Sequence, residues 1–362
     1  MFVSSLTLSH LRSHRAARLE FDGRPVAIFG PNGAGKTNVL EAVSMLSPGR
    51  GLRRAETGDL ARQAAGVGWK VAAAVAGIGG AHEVETSAEP GQGREVRIDG
   101  KAATQSALGR VIRVLWLVPA MDRLWLDGAE GRRRFLDRIA LSFTPDHAET
   151  VIAYERAMRE RNRMLKDQVS DGRWYGAVEA QMVAAGDMLT ANRRAALARL
   201  KAQAQAQEGA FPRADLALRA EEAVPEGAAF ATALQAGRRR DMAAGRTLAG
   251  PHRADLEAVF AAKDMAAAQC STGEQKALLI SVILANARAI AADLGEPPVL
   301  LLDEVAAHLD PARRDALYDE ICAMGCQAIM TGTEAGLFDS LGDRGQRFAV
   351  SDDAGTSRIT PA

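Results

Sequence analysis

Apolar and polar positions alternate at short spacing near the start of the chain. Val3, Leu6 and Leu8 lead into a polar stretch, and Leu19 and Phe21 flank a turn at Asp22-Gly23. Pro25–Phe29 is short and rich in β-formers, which predicts a buried strand ending at Gly30. Lys36–Leu46 reads as a helix closed by Pro48-Gly49. Trp69–Ile78 and Glu83–Ser87 predict antiparallel strands, and Val96–Ile98 before Asp99-Gly100 predicts another hairpin. Val111–Val118 is apolar except for Arg113, the pattern of an interior strand.

Beyond Pro119 the pattern changes. From 122 to 246 the chain is rich in Ala, Arg, Glu, Met and Leu and poor in β-branched residues, a helix-forming composition. Val178, Met182, Ala185, Leu189, Ala196 and Leu200 recur at helical spacing and predict an apolar face packed inside a bundle. Heptads do not persist far enough for a long coiled coil. From Gly250 short β-like and helical segments return, with buried strands predicted at Val299–Leu302 and Ala328–Met330. The pattern predicts an α/β domain built from residues 1–118 and 250–362, interrupted by a mostly helical second domain at 119–249.

Composition narrows this picture. A chain of 362 residues suits two domains or one interrupted domain, and 47% hydrophobic with 25% charged residues excludes a wholly disordered protein. Lys plus Arg (45) equals Asp plus Glu (45), so an anionic partner must be met by local clusters of charge. Three cysteines are too few for a disulfide framework, and Cys322 and Cys326 have no second pair to complete a zinc site. His10, Arg12, His14, Arg15 and Arg18 stand where a signal peptide needs apolar residues. Ala277–Ala292, broken by Asn286 and Arg288, is too short to span a bilayer, so a cytoplasmic protein without a membrane partner is expected.

Chemistry concentrates in a few segments. Gly30-Pro31-Asn32-Gly33-Ala34-Gly35-Lys36-Thr37 matches the P-loop pattern. Its glycines let successive N–H groups turn toward phosphate, the following helix adds its positive end, and Lys36 brings a cation. The Thr37 hydroxyl can ligate Mg²⁺. Val299–Leu302 delivers Asp303 and Glu304 to a strand end, where Asp303 can hold Mg²⁺ and Glu304 can orient or deprotonate a water. Ser271-Thr272-Gly273-Glu274-Gln275-Lys276 reads as a helix cap with exposed N–H donors, fit either for a terminal phosphate or for ordinary capping.

These segments, in this order, resemble the ABC-type ATPases, with Ser271–Gln275 as the signature, Asp303-Glu304 as the Walker B pair and Ala307–Asp310 as the D-loop. Gly131–Asp137 (GRRRFLD) and Gly250–Leu256 (GPHRADL) further resemble elements of the RecF family of recombinational-repair proteins, relatives of the SMC proteins. Leu6–His14 resembles that family's opening strand and basic turn, and Thr331–Thr333 its last switch segment. The resemblance implies a P-loop ABC-type ATPase head, a mixed sheet with helices, interrupted by a lever-like helical domain. It implies ATP and Mg²⁺ as cofactors, with Gly30, Asn32, Gly33, Gly35, Lys36, Thr37, Asn38, Ser271, Gly273 and Gln275 on the nucleotide. Lys36, Asp303 and Glu304 would be catalytic, and Thr37 and Asp303 would hold the metal. A slow ATPase follows, closing as an ATP-dependent homodimer on duplex or gapped DNA and helping RecO and RecR to load RecA.

Where transporter subunits carry a Q-loop glutamine, this chain has Pro119-Ala120-Met121-Asp122, with Asp122 as a weak candidate for that role. Arginines cluster at Arg50, Arg53 and Arg54, at Arg132–Arg134, at Arg156, Arg159, Arg161 and Arg163, and at Arg238–Arg240. Such clusters suit duplex phosphates or pair with nearby acids, and aromatics at 5% disfavour a stacking platform for single strands. A transporter-associated ATPase subunit and a small-molecule phosphotransferase are the alternatives.

Overall fold

The computed structural model describes residues 1–62, 66–205, 209–220 and 224–362. It divides into two units, the first made of Met1–Asp122, Glu208–Pro212 and Ser271–Ala362, the second of Arg123–Gln207 and Arg213–Cys270.

The first unit holds two sheets. One is antiparallel: β1 (Phe2–Leu11), β2 (His14–Glu20), β4 (Trp69–Gly77), β5 (Gly80–Ala88), β6 (Glu95–Ile98) and β7 (Lys101–Ala103), in the order β2-β1-β4-β5-β6-β7. The other contains β3 (Val26–Phe29), β8 (Val114–Leu117), β12 (Val299–Leu302), β13 (Ala328–Gly332), β14 (Gln346–Asp353) and β15 (Thr356–Pro361). Its order is β15-β14-β3-β13-β12-β8, parallel except for β15. Strands β12 and β13 are buried along their whole length, as expected of near-continuous apolar runs in a parallel sheet. Gln327 joins the two sheets: its side chain accepts from Val3 N at 2.7 Å and donates to Val3 O at 2.8 Å.

The helices α1 (Lys36–Ser44), α2 (Leu108–Val111), α7 (Thr272–Leu294) and α8 (Pro311–Ala323) complete this unit. Two expectations change. The apolar run at Val111–Val118 is not one interior strand: its first residue closes α2, and β8 pairs only with β12 at the sheet edge. The apolar stretch expected to be too short for a bilayer lies within a helix of 23 residues, which by length and hydropathy (1.7) could cross one. Burial inside the protein, 72% of its apolar window, marks α7 as a core helix.

The second unit packs α3 (Ala129–Phe143), α4 (His147–Lys166), α5 (Gly172–Gln205) and α6 (Gly227–Ala244). Val178, Met182 and Leu189 pack with Tyr154, Met164, Leu165, Phe230 and Leu234, the predicted apolar face. A sheet of β9 (Ala214–Arg219), β10 (Asp255–Phe260) and β11 (Met265–Ala266) accompanies them. β9 lies inside the segment expected to be helical. Its pairing with β10, from Asp255–Arg219 to Phe260–Ala214, draws residues beyond Gly250 into this unit, so the first unit resumes at Ser271.

Arg161 is fully buried in the second unit, and every arm of its guanidinium is engaged. It donates to Glu179 at 3.0 Å, Asp241 at 2.7 Å, Thr247 Oγ1 at 2.8 Å and Leu234 O at 2.9 Å. An ion pair so enclosed costs desolvation and fixes geometry more than it stabilises. Nearby, His252 Nε2 donates to Thr247 O at 3.0 Å and Nδ1 accepts from the Tyr154 hydroxyl at 2.7 Å, so the ring is held neutral. Burial pushes the His252 pKa down to about 4. Between pH 6.5 and 4 the unfolded chain therefore binds a proton that the folded chain refuses, and stability falls as pH falls. Urea unfolding should show a loss of up to about 3 kcal/mol across that window from this residue, and His252→Gln should flatten the slope.

Candidate functional site

The parallel sheet carries its chemistry at the carboxyl ends of its strands, where open α/β sheets bind ligands. Register places Leu302 beside Met330 and Leu117, and Gly332 beside Phe29, so Gly30, Asp303 and Thr331 emerge along one edge. Gly30–Gly35 then loops from β3 into α1.

Conformation explains two of the glycines. Gly30 has φ 152° and Gly35 φ 101°; a Cβ on Gly30 would sit 2.0 Å from Val350 O, and one on Gly35 2.1 Å from Ser357 Oγ. Asn32 and Gly33 are exposed at the loop's crest. Lys36 is buried at the loop's base and donates to Gly30 O at 2.7 Å and Pro31 O at 2.8 Å. Burial lowers its pKa, while the carboxylates of Glu304 and Asp303 pull it upward, so the ammonium shares a field with both acids.

Asp303 draws three strands together. Its Oδ1 accepts from Thr37 Oγ1 at 2.9 Å and from Thr331 Oγ1 at 2.7 Å, and its N–H donates to Leu117 O at 2.9 Å. Thr331 Oγ1 also accepts from Glu304 N at 2.9 Å. Glu304 adopts φ 53°, the left-handed region that non-glycine residues avoid, and this hydrogen bond helps to hold it there. A carboxylate and a hydroxyl within hydrogen-bond distance form a hard-oxygen pair, the donor chemistry that suits Mg²⁺.

Beside the loop, Glu41 on α1 is buried and binds two arginines. Arg12 reaches it with Nε at 2.8 Å and Nη2 at 2.9 Å, and Arg53 with Nη1 at 3.1 Å. The hydrogen bond to Glu41 raises the Arg12 pKa. His14 Nε2 donates to Gly35 O at 3.1 Å, and burial lowers the pKa of this ring. Nothing local in the sequence marks Glu41 or its grip on Arg12.

The signature segment lies on another element. Ser271 caps α7 in a reciprocal box: its Oγ accepts from Glu274 N, and its own N–H donates to Glu274 Oε2 at 2.9 Å. Its hydroxyl also donates to Glu274 Oε2, at 2.8 Å. Gly273 is exposed with open space where a Cβ would stand, and Gln275 is buried. Thus Ser271 is closed on its own cap, while Lys36, Thr37, Asp303 and Glu304 converge. Asp122 accepts from Lys276 Nζ at 3.1 Å, an ion pair between the end of the β8 segment and α7. Asp310 caps α8 by accepting from Arg313 N at 2.9 Å.

Several of the clustered arginines pair within the protein. Arg132 pairs with Asp255, Arg133 donates to Ala254 O, Arg134 pairs with Glu130, Arg50 with Glu56 and Arg159 with Glu155. Arg238 binds Glu179 and lies over the Tyr175 ring, and Arg161 is internal. Arg156, Arg163, Arg239 and Arg240 are exposed.

Residues 2–353 match the model of the RecF/RecN/SMC N terminal domain family. The chain is 46% identical to the DNA replication and repair protein RecF of Rhizobium meliloti (strain 1021), with 97% of each covered. It is 45% identical to that of Mesorhizobium japonicum, with 96% of each covered. The chain belongs to the RecF family. Among solved structures, the recombination mediator protein RecF-ATP in the RecFOR pathway superposes with TM-score 0.85 at 21% identity, covering 99% of this chain and 97% of that one. An Smc head domain from Pyrococcus furiosus does so with TM-score 0.57 at 17% identity, covering 100% of this chain and 96% of that one. The fold is therefore the ABC-type ATPase head shared by RecF and SMC proteins. RecF membership over nearly the whole chain displaces the transporter-subunit and phosphotransferase alternatives.

Gly35→Ala should place its methyl against Ser357 in a backbone conformation alanine disfavours. A loss of about 2 kcal/mol or more in urea unfolding is expected.

Proposed function

We propose that this chain is an ATP-dependent DNA-binding protein of replication and recombinational repair, with ATP hydrolysis governing its grip on DNA. The observation that carries the reading is the double engagement of Asp303 Oδ1 by Thr37 and Thr331, which gathers the Walker A and Walker B segments at one sheet edge. Lys36 reaches the β- and γ-phosphates and the N–H groups of Gly33, Gly35 and Thr37 cradle the α- and β-phosphates, with Asn32 and Asn38 flanking them. Thr37 and Asp303 hold Mg²⁺, which when bound supplies positive charge to the phosphate oxygens. Glu304 orients the attacking water and takes its proton.

Ser271, Gly273 and Gln275 serve the nucleotide of a second copy, so ATP closes a homodimer. Helix N-termini suit this task, because their free N–H groups and dipole favour a terminal phosphate. The helical unit acts as a lever, and the closed dimer holds duplex or gapped DNA through phosphate contacts; Arg156, Arg163, Arg239 and Arg240 are the exposed candidates. Hydrolysis is slow and gives release. RecF family membership, and the RecFOR pathway named for a structural relative, support action with RecO and RecR in loading RecA in the cytoplasm.

Lys36→Ala should weaken ATP binding at least tenfold in equilibrium titrations. Glu304→Gln should keep ATP affinity, slow turnover by about 100-fold or more, and prolong DNA retention; a normal turnover rate would remove Glu304 from the role of base. Ser271→Arg should leave the monomer's ATP affinity intact and abolish the ATP-induced shift to dimer in sedimentation velocity.

A further inference from the structure

The turn between β1 and β2 reaches the phosphate loop from the other sheet, and it does so through two consecutive side chains. His14 holds Gly35 O at 3.1 Å. Ser13 Oγ accepts from Asn38 Nδ2 at 2.7 Å and from Ser357 Oγ at 2.6 Å, reaching partners 25 and 344 residues further along the chain. The Ser13 carbonyl accepts from Ser357 N at 3.1 Å and from Arg62 Nη1 at 2.6 Å. A serine in a turn ordinarily bonds to its own neighbourhood. This one joins four separate segments around the first turn of α1.

Asn38 is thereby held at both ends, its Nδ2 by Ser13 and its Oδ1 by Arg53 Nη1 at 2.7 Å. Its N–H closes the turn on Gly35 O at 3.1 Å, the carbonyl that His14 also holds. Gly35 to Asn38 is the stretch where a P-loop passes into its helix and where main-chain N–H groups face the α- and β-phosphates. Donors fixed before the ligand arrives need not be ordered when it binds.

We propose that Ser13 is a positioning residue for nucleotide binding, acting through Asn38 to preset the N–H donors of the first turn of α1. The proposal rests on the reading of this loop as a nucleotide site. It assigns Ser13 to the diphosphate part of the nucleotide, not to the γ-phosphate chemistry of Asp303 and Glu304. Removing its hydroxyl leaves Asn38 Nδ2 and Ser357 Oγ without this acceptor and lets the Asn38 side chain swing on Arg53 alone.

The test is a titration of full-length protein with ATP and with ADP, alongside steady-state hydrolysis. Ser13→Ala should weaken both nucleotides equally, by about three- to tenfold, as expected for a hydrogen bond lost from a polar network. It should raise KM for ATP by the same factor and leave kcat within about twofold, and Ser13→Thr should restore the affinity. Asn38→Ala should reproduce the defect, and the double variant should add nothing further, because the two side chains act as one unit. Unchanged affinities, an effect on ATP but not ADP, or additive losses would overturn the proposal. A drop in thermal midpoint without an affinity change would assign Ser13 to folding alone and overturn it too. If Lys36→Ala also left both nucleotides bound at normal affinity, it would be the nucleotide site that had failed, not the role of Ser13 within it.

Discussion

One carboxylate organises the head. Asp303 Oδ1 accepts hydrogen bonds from Thr37, at the start of α1, and from Thr331, at the end of β13, while the Asp303 amide donates across to Leu117 O. Four segments that are distant in sequence are thus drawn to a single point at the carboxyl edge of the sheet. The pairing works only because β3, β13, β12 and β8 lie parallel and in register, so that their ends coincide. An antiparallel strand inserted among them would have carried one of these residues to the opposite edge.

Much of this edge could be read without coordinates, and the reason is local. A glycine-rich loop followed by lysine and threonine, or an apolar run ending in two acids, expresses its purpose within a few residues. The strands β3, β12 and β13 were equally plain, because strands buried on both faces read as near-continuous apolar runs. Ser13 and Glu41 had no such local sign. Their importance comes from partners such as Ser357 and Arg12, which only the folded chain brings near. Thr331 was visible by position, as part of a family segment, but not as the hydroxyl that serves both Asp303 and Glu304.

The same distinction explains the misreadings. β9 lies in helix-forming sequence, and its strand conformation depends on β10, a partner some forty residues away. The arginine clusters looked alike in sequence, yet Arg161 is sealed inside the second unit whereas Arg163, on the same helix, faces outward. Periodicity separates the faces of a helix, but it does not say that a guanidinium on the inner face will find Glu179, Asp241 and Thr247 waiting. α7 shows the converse: hydropathy alone would pass it as a membrane helix, and only its packing places it in a core.

The walls of the phosphate loop have an implication for synthesis. The loop itself, Gly30 to Thr37, leaves the ribosome early, but Val350 and Ser357, which press against Gly30 and Gly35, are translated more than three hundred residues later. A nascent chain can therefore display the loop's sequence long before it owns the cradle, so competence to hold a nucleotide is acquired late in translation. That delay keeps unfinished copies from taking up nucleotide before the head is complete.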